Sequence, residues 1–210
     1  MAGKSAAKSA PEGGAGKRPR TARGERTRAK LIEAAAAEFG ERGFADASIS
    51  GITSRAGTAL GTFYTYFESK DEIFRSLVRD LSDQVRQRAA AAVTPEMGAL
   101  ETEKNALAAF LDFAREHKEV YRIIDEAEFV DPASYRAHYE RTAQRLGERL
   151  QKGAADGELR EGLGEVHAWA LMGMNVFLGL RYSLWGQDLS VEEVAKTANE
   201  MLREGIARRD

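Results

Sequence analysis

The sequence predicts an all-α fold, on three observations. Apolar residues return every three or four positions along most of the chain, no run alternates with a period of two, and glycines and prolines punctuate the pattern at helix-sized intervals. Residues 1–22 (MAGKSAAKSAPEGGAGKRPRTA) stand apart, with little to bury, and read as a disordered basic arm. The first helix is expected from Glu25, with Leu31, Ile32, Ala35 and Phe39 on one face and Gly40 and Gly43 as stop signals. Ser48 suits the N-cap of a short second helix that carries Ile49, Ile52 and Ala56 on one side and breaks at Gly57. A third short helix covers about 59–67. Two short helices joined a few residues apart around a glycine form a helix-turn-helix pattern.

A fourth, longer helix opens at Ser69, where Glu72 three residues on completes a capping box, and Ile73, Phe74, Leu77 and Leu81 make its apolar stripe. Nothing breaks it until about Val93, so it bridges two lobes. Beyond Pro95 the periodicity gives helices at about 101–117, 118–129, 132–155, 165–186 and 190–207, with Pro132 at a first-turn position. The expected organisation is an arm (1–22), a three-helix helix-turn-helix domain (23–70) and a larger C-terminal helical domain (71–210).

Composition narrows the function. The net charge of −2 over 210 residues hides an asymmetry: residues 1–30 hold nine Lys/Arg against two Glu, whereas residues 71–210 hold nineteen basic against twenty-six acidic side chains. A basic arm supplies sequence-independent attraction to phosphate backbones. The chain has no cysteine, which excludes a disulfide framework and fits a cytoplasmic location. The most apolar stretch, 168–185, is interrupted by Asn175 and Arg181 and reads as a buried helix, so no membrane partner is expected. His117, His138 and His167 fall on different helices without paired ligand spacing, and no metal or other cofactor is expected. The acidic group Asp125, Glu126, Glu128 and Asp131 fans round a helix end as a solvated surface, and no phosphate-binding loop or nucleophile motif occurs. Nothing points to an enzyme.

The stretch GTFYTYF (61–67) places four of the seventeen aromatic residues in five positions. At about 100° per residue, Leu60, Phe63 and Phe67 share one face, Gly61, Thr62 and Thr65 the opposite one, and Tyr64 and Tyr66 lie on the flanks. The phenylalanines are expected in the core. The slim polar face suits a backbone entering a major groove, with the two tyrosine hydroxyls reaching the phosphates on either wall.

From about Arg28 to Leu77 the sequence resembles the DNA-binding domain of the tetracycline-repressor (TetR) family of bacterial transcription regulators. The resemblance is carried by LIEAAAAEFGERGF (31–44), SISGITSRAG (48–57), TALGTFYTYF (58–67) and ESKDEIF (68–74). It implies a homodimer on double-stranded operator DNA, most often as a repressor, with a larger lobe that binds a small-molecule effector and makes the dimer interface. It also implies that Ser48 contacts a phosphate, that Thr62, Tyr64 and Tyr66 contact backbone and bases, that Thr65 points into the groove, and that Lys70 pairs with a phosphate. Thr58, Ala59, Leu60 and Gly61 complete the reading segment. Ser50, Ala59 and Leu60 replace residues that are commonly larger, capping or polar in the family. Specificity is therefore expected to lean on methyl contacts from Thr65 or Thr62, on Ser50 and on DNA shape. Lys17, Arg18, Arg20, Arg23, Arg26 and Arg28 would add a minor-groove or phosphate arm. The alternative is a non-specific DNA-binding protein driven by that arm.

In the larger lobe, polar residues among aromatics nominate an effector cavity of largely apolar character. They are Phe110, Phe113, Tyr121, Ile124, Glu128 and Phe129, followed by Tyr135, Tyr139, Thr142, Met172 and Asn175. Helix 165–186 is apolar on more than one face, so one side is expected to meet a second copy of the chain. Val176, Leu180 and Trp185, with Val194, Ala198, Met201 and Leu202 of the last helix, are the expected dimer contacts.

Overall fold

In a computed structural model, the structure describes residue 19 and residues 21–206; Lys17, Arg18 and Arg20 of the expected arm lie outside the described residues. Helix α1 spans Ala22–Asp46 and starts earlier than expected, because Thr21 supplies the cap: its Oγ1 accepts the Gly24 N–H at 3.1 Å. The expected stop at Gly40 does not occur. The helix runs on to Gly43, where φ 78° and ψ 168° make a kink that an L side chain resists.

Helices α2 (Ile49–Arg55) and α3 (Leu60–Tyr66) follow, joined through Gly57 at φ 63°, and α4 spans Lys70–Ala91. Ser69 caps α4 through its Oγ, but Glu72 closes the motif on the Glu68 N–H, one residue before the expected Ser69 partner. Phe39, Phe63, Phe67 and Phe74 are fully buried, and Phe39 meets Phe74 edge-on at 5.1 Å. Beneath α2, the buried carboxylate of Glu38 accepts the Ser48 N–H at 3.3 Å and Arg55 Nε at 2.8 Å. A buried charge tolerates this position only when paired, and here the pairing fixes α2 on α1.

The second lobe contains α5 (Ala99–Glu116), α6 (Glu119–Val130), α7 (Pro132–Ala155), α8 (Glu165–Gly179) and α9 (Val191–Ile206). The expected single helix over 165–186 changes to π-helical geometry at Leu180–Trp185, where the buried Ser183 Oγ donates to the Leu111 carbonyl at 2.8 Å. The α1–α4 core continues without a break into Phe113 of α5 and Ile123 of α6, so α4 serves both lobes. A second cluster joins α7 to α8, and a third seats α9 on α5. Among the described residues, no helix is long and apolar enough to cross a membrane.

Candidate nucleic-acid interface and ligand cavity

The buried Phe63 and Phe67 hold α3 so that its opposite side is open. Gly61, Tyr64 and Thr65 are exposed, with nothing near the Gly61 α-carbon on that side, and Thr65 Oγ1 donates locally to the Gly61 carbonyl at 3.2 Å. Ser48 and Ser50 are exposed beside this surface with their hydroxyls 3.1 Å apart, and Ser48 Oγ also caps α2 by accepting the Gly51 N–H. These side chains form a narrow polar strip with hydroxyl groups and no ion pair of its own among the described residues.

Several expected contacts are placed differently. Leu60 is 51% exposed and does not share the buried face of Phe63. It stands in the first turn, where a side chain leans back beyond the edge of the core. Ala59 is exposed as an N-cap without a capping side chain. Thr62 is half-buried, and the Thr58 hydroxyl is buried without a hydrogen-bond partner among the described residues. Tyr66 is half-buried against the core, its hydroxyl close to the first turn of α1. Lys70 has the clearest alternative employment: Nζ donates to the carbonyls of Phe44 (2.7 Å), Ala45 (3.2 Å) and Ala47 (3.0 Å). An ammonium has three donors, so a phosphate contact would come at the expense of this clasp on the end of α1.

The larger lobe encloses a cavity of about 470 Å³, mostly apolar, between α4, α5, α6, α7 and α8. Phe110, Tyr121, Ile124, Tyr139, Thr142, Met172 and Asn175 all line it. Tyr121 reaches across to donate to the Val176 carbonyl at 2.8 Å, and burial pushes its phenol pKa up. The remaining expected residues lie elsewhere. Phe113 is core packing toward α1–α4, Glu128 and Phe129 face outward with Phe129 84% exposed, and Tyr135 stacks edge-on upon Tyr139 at 5.0 Å outside the lining. Residues that the sequence did not single out also line it, including Val85 of α4 and His138 and Arg145 of α7. Ser82 Oγ donates its one hydrogen to the Val78 carbonyl, so His138 Nδ1, at 2.7 Å, is the donor to Ser82. Burial, then the nearby Arg145, pull His138 down to about 4, so the ring is neutral near pH 7.

Helix α6 connects the two sites. Its inner face (Val120, Tyr121, Ile124) forms a cavity wall, while its outer face grips the end of α1. Arg122 donates to the carbonyls of Gly40 (3.0 Å) and Glu41 (3.1 Å), and Glu126 accepts the Phe44 N–H at 2.7 Å. A Cβ at Gly43 would lie 2.6 Å from Glu126 Oε1 and 2.7 Å from Arg122 Nη2, so the grip needs glycine for space as well as for φ.

The sequence profile described as bacterial regulatory proteins, tetR family, matches residues 31–77, from the middle of α1 into α4. The HTH-type transcriptional repressor KstR2 of Rhodococcus jostii (strain RHA1) is 25% identical over 194 residues, 86% of this chain and 91% of that protein. The helix-turn-helix segment is thereby matched to the TetR family. An uncharacterized HTH-type transcriptional regulator, YdgC of Bacillus subtilis (strain 168), is 45% identical over 65 residues, which are 31% of this chain and a third (33%) of that relative's length. The crystal structure of FadR from Bacillus subtilis in complex with stearoyl-CoA superposes with a TM-score of 0.74 at 20% identity, covering 84% of this chain and 98% of that one, a likeness of fold.

The chain also carries an apolar surface that no other described residue covers. Along α8 and the π-helical stretch, Val166, Trp169, Phe177 (71%) and Trp185 (70%) are exposed, and Met201 of α9 is exposed as well. Of the expected dimer residues, Trp185 and Met201 are on the surface. Val194 and Ala198 are buried on α5, Val176 lines the cavity, and Leu180 and Leu202 pack against their own protomer's cores. Helix α9 has one apolar stripe, and α5 consumes it. Val166, Trp169 and Phe177, which the sequence reading did not name among the dimer contacts, are exposed on the same helix.

Proposed function

We propose that the chain is a non-enzymatic, cytoplasmic transcriptional regulator, a repressor that binds a palindromic operator as a homodimer and leaves it when a small, largely apolar effector enters the larger lobe. The observation that carries this reading is the open polar strip of Gly61, Tyr64 and Thr65, flanked by Ser48 and Ser50 and held outward by the buried Phe63 and Phe67. A short helix with a slim face and flanking hydroxyls suits a major groove, with hydroxyls on phosphates and a threonine methyl against thymine. Two such helices in a dimer would occupy half-sites about 34–36 Å apart. Repression as the sign is supported by the likeness to KstR2 over most of that repressor's length.

The effector half of the reading is supported by the cavity and its placement. A volume of about 470 Å³ lies within the range of small-molecule sites. Stearoyl-CoA in the FadR crystal structure is consistent with an apolar effector here. Effector filling would press on α4 and α6, and α6 holds the end of α1 through Arg122 and Glu126. That path would couple the sites by about 1–3 kcal/mol.

Fluorescence anisotropy on DNA from upstream of the chain's own gene, against scrambled DNA at physiological salt, tests the reading. Preference of about a thousandfold or more for one sequence supports an operator reader. Equal affinity for all DNA, with a steep salt dependence, would replace it with a general phosphate grip.

A further inference from the structure

The cavity wall contains a half-buried cation that forms no ion pair among the described residues, with the exposed Asp83 acting on it from beyond contact distance. Arg145 donates to Thr142 Oγ1 at 3.1 Å and, among the described residues, forms no ion pair. Neighbouring charges are already matched: Arg149 holds the buried Glu103 carboxylate in a two-point contact at 2.5 and 2.8 Å, and Lys152 is paired with Asp156. Arg86 faces the same space from α4, with only the exposed Asp83 at 3.4 Å. Burial, then Arg86 and Arg149, push the Arg145 guanidinium below its ordinary pKa, the mark of positive charge gathered in a partly dry place.

Two carboxylates also reach the wall, on Asp125 and Glu148. Burial and Glu128 raise the Asp125 pKa, so that group gives up its charge more readily than an ordinary aspartate. A guanidinium offers five donors in a planar fork that matches carboxylate and phosphate oxygens, and a cation drawn out of water is stabilised by such a partner. Asn175 Oδ1, buried without a partner among the described residues, adds an acceptor to the same cavity.

We propose that the effector is an amphiphilic anion, with its apolar body among Phe110, Ile124 and Met172 and its anionic oxygens on Arg145. This rests on the reading of the cavity as the effector site. The shared chemistry is a carboxylate or phosphate on an apolar chain, and its source is either a free acid or a phosphate-bearing thioester.

Isothermal titration of the full-length protein with decanoate, decanoyl-CoA, decanol and decyltrimethylammonium tests the proposal. At least one anion should bind about tenfold or more tightly than decanol and the ammonium. Arg145→Gln should remove that advantage, whereas Arg145→Lys, which keeps the charge, should retain part of it. The tighter of the two anions names the source of the head group. Equal binding of decanol and decanoate, undiminished anion binding in Arg145→Gln, or no binding by any probe would overturn the proposal. Should Arg145→Gln fail to fold, the four head groups on the unaltered protein decide alone. Release of bound DNA is read in parallel. If decanol releases DNA as well as the anions do, the effector reading stands and the anion falls. If an Arg145-dependent anion binds without affecting DNA, the anion site stands and its effector role falls.

Discussion

Helices α3 and α8 both concentrate aromatic side chains, and they deploy them in opposite directions. In α3 and its C-cap, Phe63 and Phe67 are fully buried in their own protomer, and much of the outward surface is hydroxyl and backbone. In α8 the buried side is made by Ala168, Leu171 and Met172, while Trp169 and Phe177 face outward, continued by Trp185. The difference teaches what each surface still requires. Helix α3 buries its two phenylalanines and leaves hydroxyls and backbone open beside the exposed Leu60 and Tyr64, a mixed surface suited to a polar partner; α8 leaves more apolar area exposed than its own chain covers, a surface suited to a protein partner.

Removing the internal anchor of α3 should have the largest effect. Phe63→Ala should cost about 3–5 kcal/mol in denaturant unfolding and abolish DNA binding. Retention of both would mean that the ring does not hold α3. On α8 the corresponding substitution is expected to leave the fold intact: Phe177→Glu should weaken dimerisation by on the order of 2–4 kcal/mol, read by sedimentation equilibrium, with little change in the protomer's secondary structure. An unchanged association constant would remove α8 from the interface.

Acid should separate the lobes next. His138 has a folded-state pKa of about 4 against an ordinary 6.5, so the unfolded chain binds the extra proton between those values. Its contribution is complete above pH 6.5 and is lost as pH falls toward 4, amounting to about 3 kcal/mol. His138→Asn should flatten that part of the stability profile relative to the unaltered chain. At the junction, Gly43→Ala should cost roughly 1–3 kcal/mol through strain and the Glu126 contact, visible as a lower Tm. It should also reduce the effect of any cavity ligand on DNA affinity. The smallest effects belong to the reading face. Tyr64→Phe should weaken all DNA alike by about 0.5–1.5 kcal/mol, while Thr65→Ala should alter preference at one base pair by about 1 kcal/mol.

The helices, and the burial of Phe63 and Phe67 opposite the open Gly61 and Thr65, were legible because their periodicity is local and strong, and the cap residues Ser48 and Ser69 mark two starts directly. What escaped depends on tertiary partners. No pattern in the sequence says that Lys70 turns back to three carbonyls of the α1 end, or that the apolar stripe of α9 is taken by α5 and so removes Val194 and Ala198 from the surface. The cavity was read from its aromatics and the polar groups among them, which recovered lining residues on α5, α6, α7 and α8. His138 and Arg145 were passed over because charged residues on α7 suggest solvent when only their own helix is considered. Their position becomes informative once α4 and α8 close over them.

The central claim is that the α3 strip reads sequence as part of a two-fold dimer. Selection of bound fragments from a random DNA pool by the full-length protein tests it most directly. The account predicts enrichment of an inverted repeat whose half-sites lie about one helical turn apart, with one position of each half-site relaxed on Thr65→Ala and the repeat lost on Phe177→Glu. A pool that remains random, or one enriched for a single unrepeated site that survives Phe177→Glu, would contradict it.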